Sequence, residues 1–172
     1  MIETEKTYLA KYLPDDLDKS RSEEIIDLYL PEKSRHPKLR IRKKGENYEI
    51  TKKSYVKQGD ASVQEEKNII LTREEFEEVI SGKKRVLRKK RYYYHYKGRV
   101  LEIDVFLDNL RGLVLIETEF DSKEEKEAYI SPEFCLEDVT QEDFIAGGML
   151  AGKTYRDIQE NLEKYNYKQI LK

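Results

Sequence analysis

The segment GLVLIETEF, from Gly112 to Phe120, constrains the fold more than any other stretch of the chain. In an extended strand Val114, Ile116 and Phe120 make one face apolar, while the other runs Leu113, Leu115, Glu117, Glu119. A strand that starts apolar on both sides is buried on both sides, so Glu117 and Glu119 continue a face that already looks into an interior. Unpaired buried carboxylates are costly, and the same interior must therefore hold cations, either side chains or metal ions.

Other segments carry the matching charges. In IETEKTYLAK, Glu3 and Glu5 share one side of a strand and Thr4 and Lys6 the other. KLRIRKK sets Arg40 and Arg42 against Leu39 and Ile41, and ITKKS places Lys53 with Thr51. RKKRYY pairs Lys89 with Arg91, and VLEIDVF pairs Glu102 with Asp104 against Leu101, Ile103 and Val105. Taken singly, each pair is what a solvated strand edge looks like; taken together they supply the counter-charges that Glu117 and Glu119 require. Strands are expected near residues 2–13, 25–30, 38–44, 48–55, 62–70, 86–96, 99–106 and 113–120, with hairpin turns around Gly45 and Gly98. Eight strands suffice to close a small barrel. Helices are signalled after Thr72, after Thr154 (about residues 154–165) and at Thr140 in TQEDFIAGGML. Without an internal repeat or linker, residues 1–172 read as a single domain of α+β type.

Composition narrows the partners. Lys+Arg 33 against Asp+Glu 35 leaves a net charge of -2, so no global field favours a membrane or nucleic acid, and any anion site is local. The run KKRVLRKKR alternates with apolar residues and reads as a strand with inward cations rather than an RNA-contacting patch. The single Cys135, beside Phe134, makes no internal disulfide and reads as a buried inert thiol, and the N-terminus lacks a signal-like apolar run, which together point to the cytoplasm. With only His36 and His95 present, a histidine metal site or a Ser-His-Asp triad is disfavoured. No tryptophan is available to stack on a base, and Tyr92, Tyr93, Tyr94 and Tyr96 read as packing residues.

Acids on one wall and Arg/Lys on another suit a metal-bound polyanion, and a phosphate chain fits best. Arginine forks and lysines grip phosphate oxygens, while carboxylates hold hard cations such as Mg2+ or Mn2+.

The ordered set IETEKTYLAKYLP, LRIRKK, ITKK, RKKRYYY, LEIDVFLDNLRGLVLIETEF and DVTQEDFIAGGMLAG resembles the CYTH domain or triphosphate tunnel metalloenzyme superfamily over about residues 2 to 155. The resemblance implies a closed eight-stranded antiparallel β-barrel, a tunnel with a few flanking helices, whose lumen binds a triphosphate with Mg2+ or Mn2+. It implies metal ligands at Glu3, Glu5, Asp104, Glu117 and Glu119, with Glu5, Glu117 and Glu119 catalytic. Arg40, Arg42, Lys53, Lys89 and Arg91 match the phosphate-gripping cations, and Glu66 and Glu102 are further lumen acids, with Gln64 where a companion of Glu66 is expected. The family's Glu-x-Glu-x-Lys signature departs here, since its lysine position is Thr7 and Lys6 has the opposite parity. The implied activity is divalent-metal-dependent hydrolysis of inorganic tripolyphosphate or an organic triphosphate. The alternatives are a polyphosphate- or nucleotide-binding module and an adenylate cyclase of the class IV type.

Overall fold

The computed structural model describes residues 2–35, 39–55 and 63–171; the side chains of residues 2, 3, 53, 55 and 63–66 lie outside the description. Among the described residues nine strands form one antiparallel sheet: β1 (Ile2–Ala10), β2 (Ser22–Leu30), β3 (Leu39–Lys44), β4 (Asn47–Tyr55), β5 (Val63–Leu71), β6 (Val86–Tyr96), β7 (Arg99–Phe106), β8 (Val114–Glu119) and β9 (Cys135–Asp138). Their order is β5-β4-β3-β2-β6-β7-β8-β1-β9. The helices are α1 (Arg73–Ile80), α2 (Lys123–Ala128), α3 (Gly147–Leu150) and α4 (Tyr155–Glu163). None is long and apolar enough to cross a membrane.

Local chemistry sets the element ends. Lys97 and Gly98 take positive φ of 47° and 80°, the combination a two-residue hairpin between β6 and β7 requires. The expected helix after Thr72 starts with a capping box, Thr72 Oγ1 accepting from the Glu75 amide at 3.2 Å and the Glu75 carboxylate accepting from the Thr72 amide at 2.7 Å. Thr154 and Asp157 repeat the device on α4. The helix expected from Thr140 is broken, a 3-10 turn at Asp143–Ile145 followed by the single turn of α3, where Gly147 and Gly148 weaken helix propensity. The expected β1 also ends earlier, at Ala10 rather than at residue 13.

The closed eight-stranded barrel expected from the sequence is not what forms. Among the described residues the sheet has nine strands, and its two flanks meet only where Ile2, Glu3 and Thr4 of β1 pair with Glu65, Gln64 and Val63 of β5. Beyond Thr4 that edge of β1 goes to the C-terminal half of the chain. The Thr7 amide donates to Thr140 Oγ1 at 3.0 Å, the Thr7 carbonyl accepts from Val139 at 2.8 Å, and Tyr8 to Ala10 pair with β9. Backbone groups already bonded to β9 are not available to β5, so the sheet curls without sealing.

Burial divides the curled sheet into two faces. On the outside, Tyr8, Tyr92, Leu101, Ile103, Val114 and Ile116 pack against Leu17 and Phe134, and α1 covers Leu28 and Ile41 with Phe76. On the inside, Leu9, Leu87, Phe106, Leu113 and Leu115 join Leu150 of α3 and Ile158 and Leu162 of α4. Fully burying each of those two α4 side chains contributes about 1.5–3 kcal/mol. The C-terminal helices thereby fill one end of the inner face with hydrocarbon and leave the rest to charged side chains.

Candidate functional site

The inner face encloses a cavity of about 770 Å3. Register places its residues. On β3 and β6 the alternation that turns Ile41 and Tyr92 outward turns Arg40, Arg42, Lys89 and Arg91 inward, and all four are buried. On β7 and β8 it turns Glu102, Glu117 and Glu119 inward, and β1 adds Glu5 and Thr7. The parity read from GLVLIETEF therefore holds in space: Leu113 and Leu115 lie in the hydrocarbon end of the inner face, and Glu117 and Glu119 line the cavity beside them.

Cross-strand neighbours concentrate the negative charge. Glu5 stands opposite Glu119 and Thr7 opposite Glu117 between β1 and β8, while Glu102 stands opposite Glu117 between β7 and β8. Like charges directly opposite one another repel, and Arg91 answers on one side of the row. Its Nε donates to Asp104 Oδ1 at 2.7 Å, and its Nη2 to Asp104 Oδ2 and to Glu117 Oε2, both at 2.6 Å; Nη1 reaches Glu102. Lys89 also bonds Asp104. Full burial alone would raise the Asp104 pKa, but Arg91 and then Lys89 overcome that push and hold it at about 2. Glu102 goes the other way, pushed up by burial and by Glu117 and Asp104 against the pull of Arg91.

The basic wall contains an acid that sequence reasoning missed. Asp27, on β2, accepts from Arg42 Nε at 2.6 Å and from Nη2 at 2.7 Å. Arg42 and Arg40 draw its pKa down despite complete burial. The available signal was IIDLYL, where an aspartate interrupts an otherwise apolar face. Arg40 donates to Thr51 Oγ1 at 3.2 Å and lies 3.9 Å from Glu49. Thr140 to Asp143 and Ile145 to Gly148 also line the cavity, a contribution from the C-terminal half that local patterning did not reveal.

Not every expected site residue is brought together. The backbones of Glu3, Lys53 and Glu66 run in β1, β4 and β5, with Lys53 paired to Glu66, and their side chains lie outside the described ones. Asp104 is engaged at both oxygens by cations. Lys6 points to the opposite face from Thr7 and sits 3.5 Å from Asp138, so it brings no ammonium into the cavity. Cys135, expected as a buried thiol, is only partly buried, and its pKa is pushed up to about 12 chiefly by burial. Tyr94 and Tyr96 pack edge-on to Phe134, whereas the Tyr93 ring lies beneath the Arg21 guanidinium, 4.6 Å from its centroid.

As a metal site, the carboxylate row fits in kind. Glu5, Glu117 and Glu119 offer the hard oxygen donors that Mg2+ and Mn2+ prefer. Among the described residues no three His, Cys, Asp or Glu side chains already converge as a metal cluster.

Comparison with known proteins agrees with this geometry. A family model described as the CYTH domain matches residues 11–142. Among solved structures, that of the inorganic triphosphatase NE1496 superposes with a TM-score of 0.65 at 25% identity, covering 88% of this chain and 95% of that one. A second structure of NE1496 gives 0.66 at 28% identity, covering 88% and 99%. The Bacillus halodurans protein bh2851, named there as a candidate adenylate cyclase, shares the fold with a TM-score of 0.51 at 16% identity over 99% of this chain and 92% of that one. No curated protein matches the sequence significantly. The family model spans most of the chain, from the end of β1 to the segment that lines the cavity, and the protein therefore belongs to the CYTH domain family.

Proposed function

We propose that this protein hydrolyses a triphosphate, with inorganic tripolyphosphate as the favoured substrate, in the presence of Mg2+ or Mn2+. The observation that carries the reading is the opposition of two charged walls in one cavity: Arg40, Arg42, Lys89 and Arg91 across from Glu5, Glu102, Glu117 and Glu119. Among the described residues, ten carboxylates and six basic side chains line that cavity. A surplus of acid repels a bare polyanion, so the substrate has to arrive with cations of its own. The activity of NE1496, an inorganic triphosphatase at 25% identity, supports the same reading.

In this mechanism a bound divalent ion supplies charge neutralisation and Lewis acidity, and Glu5, Glu117 and Glu119 would hold it. The remaining work belongs to the chain. Arg40, Arg42, Lys89 and Arg91 bind the phosphate oxygens and stabilise the negative charge that spreads over the transferring phosphoryl group. A carboxylate of the Glu117/Glu119 pair orients a water for in-line attack on a terminal phosphorus and accepts its proton, and the bridging P–O bond breaks to give orthophosphate and pyrophosphate. The hydrocarbon end formed by Leu115, Phe106 and Leu150 limits water to the charged end of the cavity.

An unsubstituted phosphate chain suits the site better than a nucleotide. Tyr93, on the inward parity of β6, is covered by Arg21 and approached by Lys44 at 5.5 Å, and its hydroxyl bonds Glu23, so that ring is engaged by charged groups instead of offering a face to a base. Thr7 favours a second reading, a polyphosphate-binding module with little turnover, because the strand offers a hydroxyl at that point of the cavity wall and its neighbour Lys6 is turned away towards Asp138. The thiol of Cys135 and the absence of other cysteines suit a cytoplasmic setting.

The test is incubation of pure protein with tripolyphosphate, ATP and thiamine triphosphate under Mg2+ or Mn2+, with products identified. Orthophosphate from tripolyphosphate, lost in both Glu5→Gln and Arg42→Ala, is the expected result. Cyclic AMP with pyrophosphate would indicate a cyclase, binding without product would indicate the module, and equal turnover in the two variants would remove these residues from the site.

A further inference from the structure

Asp27 takes no part in the reaction proposed above, yet it lies inside the basic wall. It is 1% exposed, stands opposite Arg42 on β3 and Leu87 on β6, and is flanked on its own face by Ile25 and Tyr29. Its two oxygens take Nε and Nη2 of Arg42 at 2.6 and 2.7 Å, a side-on fork that leaves Nη1 and one hydrogen of Nη2 for a ligand. Arg40 and Lys89 also act on this carboxylate from the neighbouring strands. Orientation of Arg42 alone needs only an oxygen acceptor. The full negative charge does something more, because it stands among the cations that a polyphosphate must use and opposes the ligand in a poorly solvated space.

We infer that Asp27 is a positioning residue with a second effect: it presents the Nη1 end of Arg42 to the phosphate chain and, as a resident anion, holds polyphosphate affinity down. The inference rests on the triphosphate reading. Its functional sense is turnover, since an Arg42 without its resident anion would hold polyanionic products more firmly along with substrate.

Asp27→Asn separates the two effects, keeping an oxygen for Arg42 and removing the charge. Titration calorimetry with Mg2+ and diimidotriphosphate, a tripolyphosphate analogue whose bridges resist hydrolysis, should show Kd falling about tenfold in the variant. KM for tripolyphosphate should fall with it while kcat stays level or drops. Unchanged or weaker binding by a folded Asp27→Asn protein overturns the inference. Failure of the wild-type protein to bind the analogue at all overturns the triphosphate reading itself. Should Asp27→Asn not fold, the wild-type protein decides: at saturation with the analogue, the 15N-detected Nε–H of Arg42 should stay protected from exchange with water, and loss of that protection would mean that Asp27 has been displaced and does not position Arg42.

Discussion

Glu102 and Glu117 stand directly opposite one another on β7 and β8, and one guanidinium, that of Arg91, bonds them both. Two carboxylates at the close spacing of a β ladder cannot both ionise freely, and one cation shared with Asp104 does not neutralise them. The strain falls on Glu102, pushed above the usual carboxylate value of 4.5 by burial and by Glu117. Such a group binds its proton more tightly folded than unfolded, so stability falls as pH rises from 4.5 through the raised value. Glu102→Gln removes the group, and its thermal midpoint should exceed that of the wild type at pH 7. The advantage should vanish below pH 4.5, where Glu102 is protonated in both states. Midpoints measured between pH 4 and 8 check both the sign and the window.

Asp104 predicts the opposite pH dependence. Burial raises its pKa, but Arg91 and Lys89 prevail and hold it at about 2, below its ordinary 3.8. Its contribution is therefore complete above pH 3.8 and is lost as the pH falls towards 2. Asp104→Asn removes the buried carboxylate that Lys89 and Arg91 share and leaves Arg91 with Glu102 and Glu117, a loss on the order of 3–5 kcal/mol for a broken buried pair. Denaturant unfolding at pH 7 should show that loss, and the gap between variant and wild type should narrow as the pH is lowered through the same window.

Thr7 makes the case for activity rather than stability. It is 5% exposed, lines the cavity and faces Glu117 across the β1–β8 ladder, while the adjacent Lys6 is held outside by Asp138 at 3.5 Å. Thr7→Lys would put an ammonium beside the carboxylate row and close to the proposed attacking water. Orthophosphate release from tripolyphosphate should rise about tenfold, below the roughly 100- to 10,000-fold that a fully positioned acid–base group contributes. Steady-state kinetics with the circular dichroism spectrum of each protein separates a gain in kcat from a change in folding. Turnover unchanged in a folded Thr7→Lys protein would mean that this position does not limit the reaction.

Much of the site was legible because side-chain parity in a strand is a local property. Arg40, Arg42, Lys89, Arg91, Glu102, Glu117 and Glu119 could be assigned to an inner face from alternation with Leu39, Ile41, Leu101, Ile103, Val114 and Ile116, without knowing which strands would be neighbours. The caps of α1 and α4 were equally local. Asp27 escaped notice because a lone acid in an apolar strand acquires meaning only from the strand beside it, where Arg42 waits in register. The four residues of β9 lie near Pro132 and are too few to show a period, and the same holds for the broken turn around Gly147.

The amino-acid order by itself determined which side chains share a face, where the hairpins turn, and that an interior mixing acids with bases must exist, since these follow from alternation, glycine geometry and the cost of burying charge. Only the tertiary structure decided how those faces meet: that β9 and the Val139–Thr140 backbone take the edge of β1 beyond Thr4, that the flanks of the sheet touch without sealing, and that Arg91 serves three carboxylates while Arg42 serves one. The reason is that backbone edges and charged side chains are satisfied by whichever partner packing brings near, and competition among partners distant in sequence leaves no trace in a local pattern.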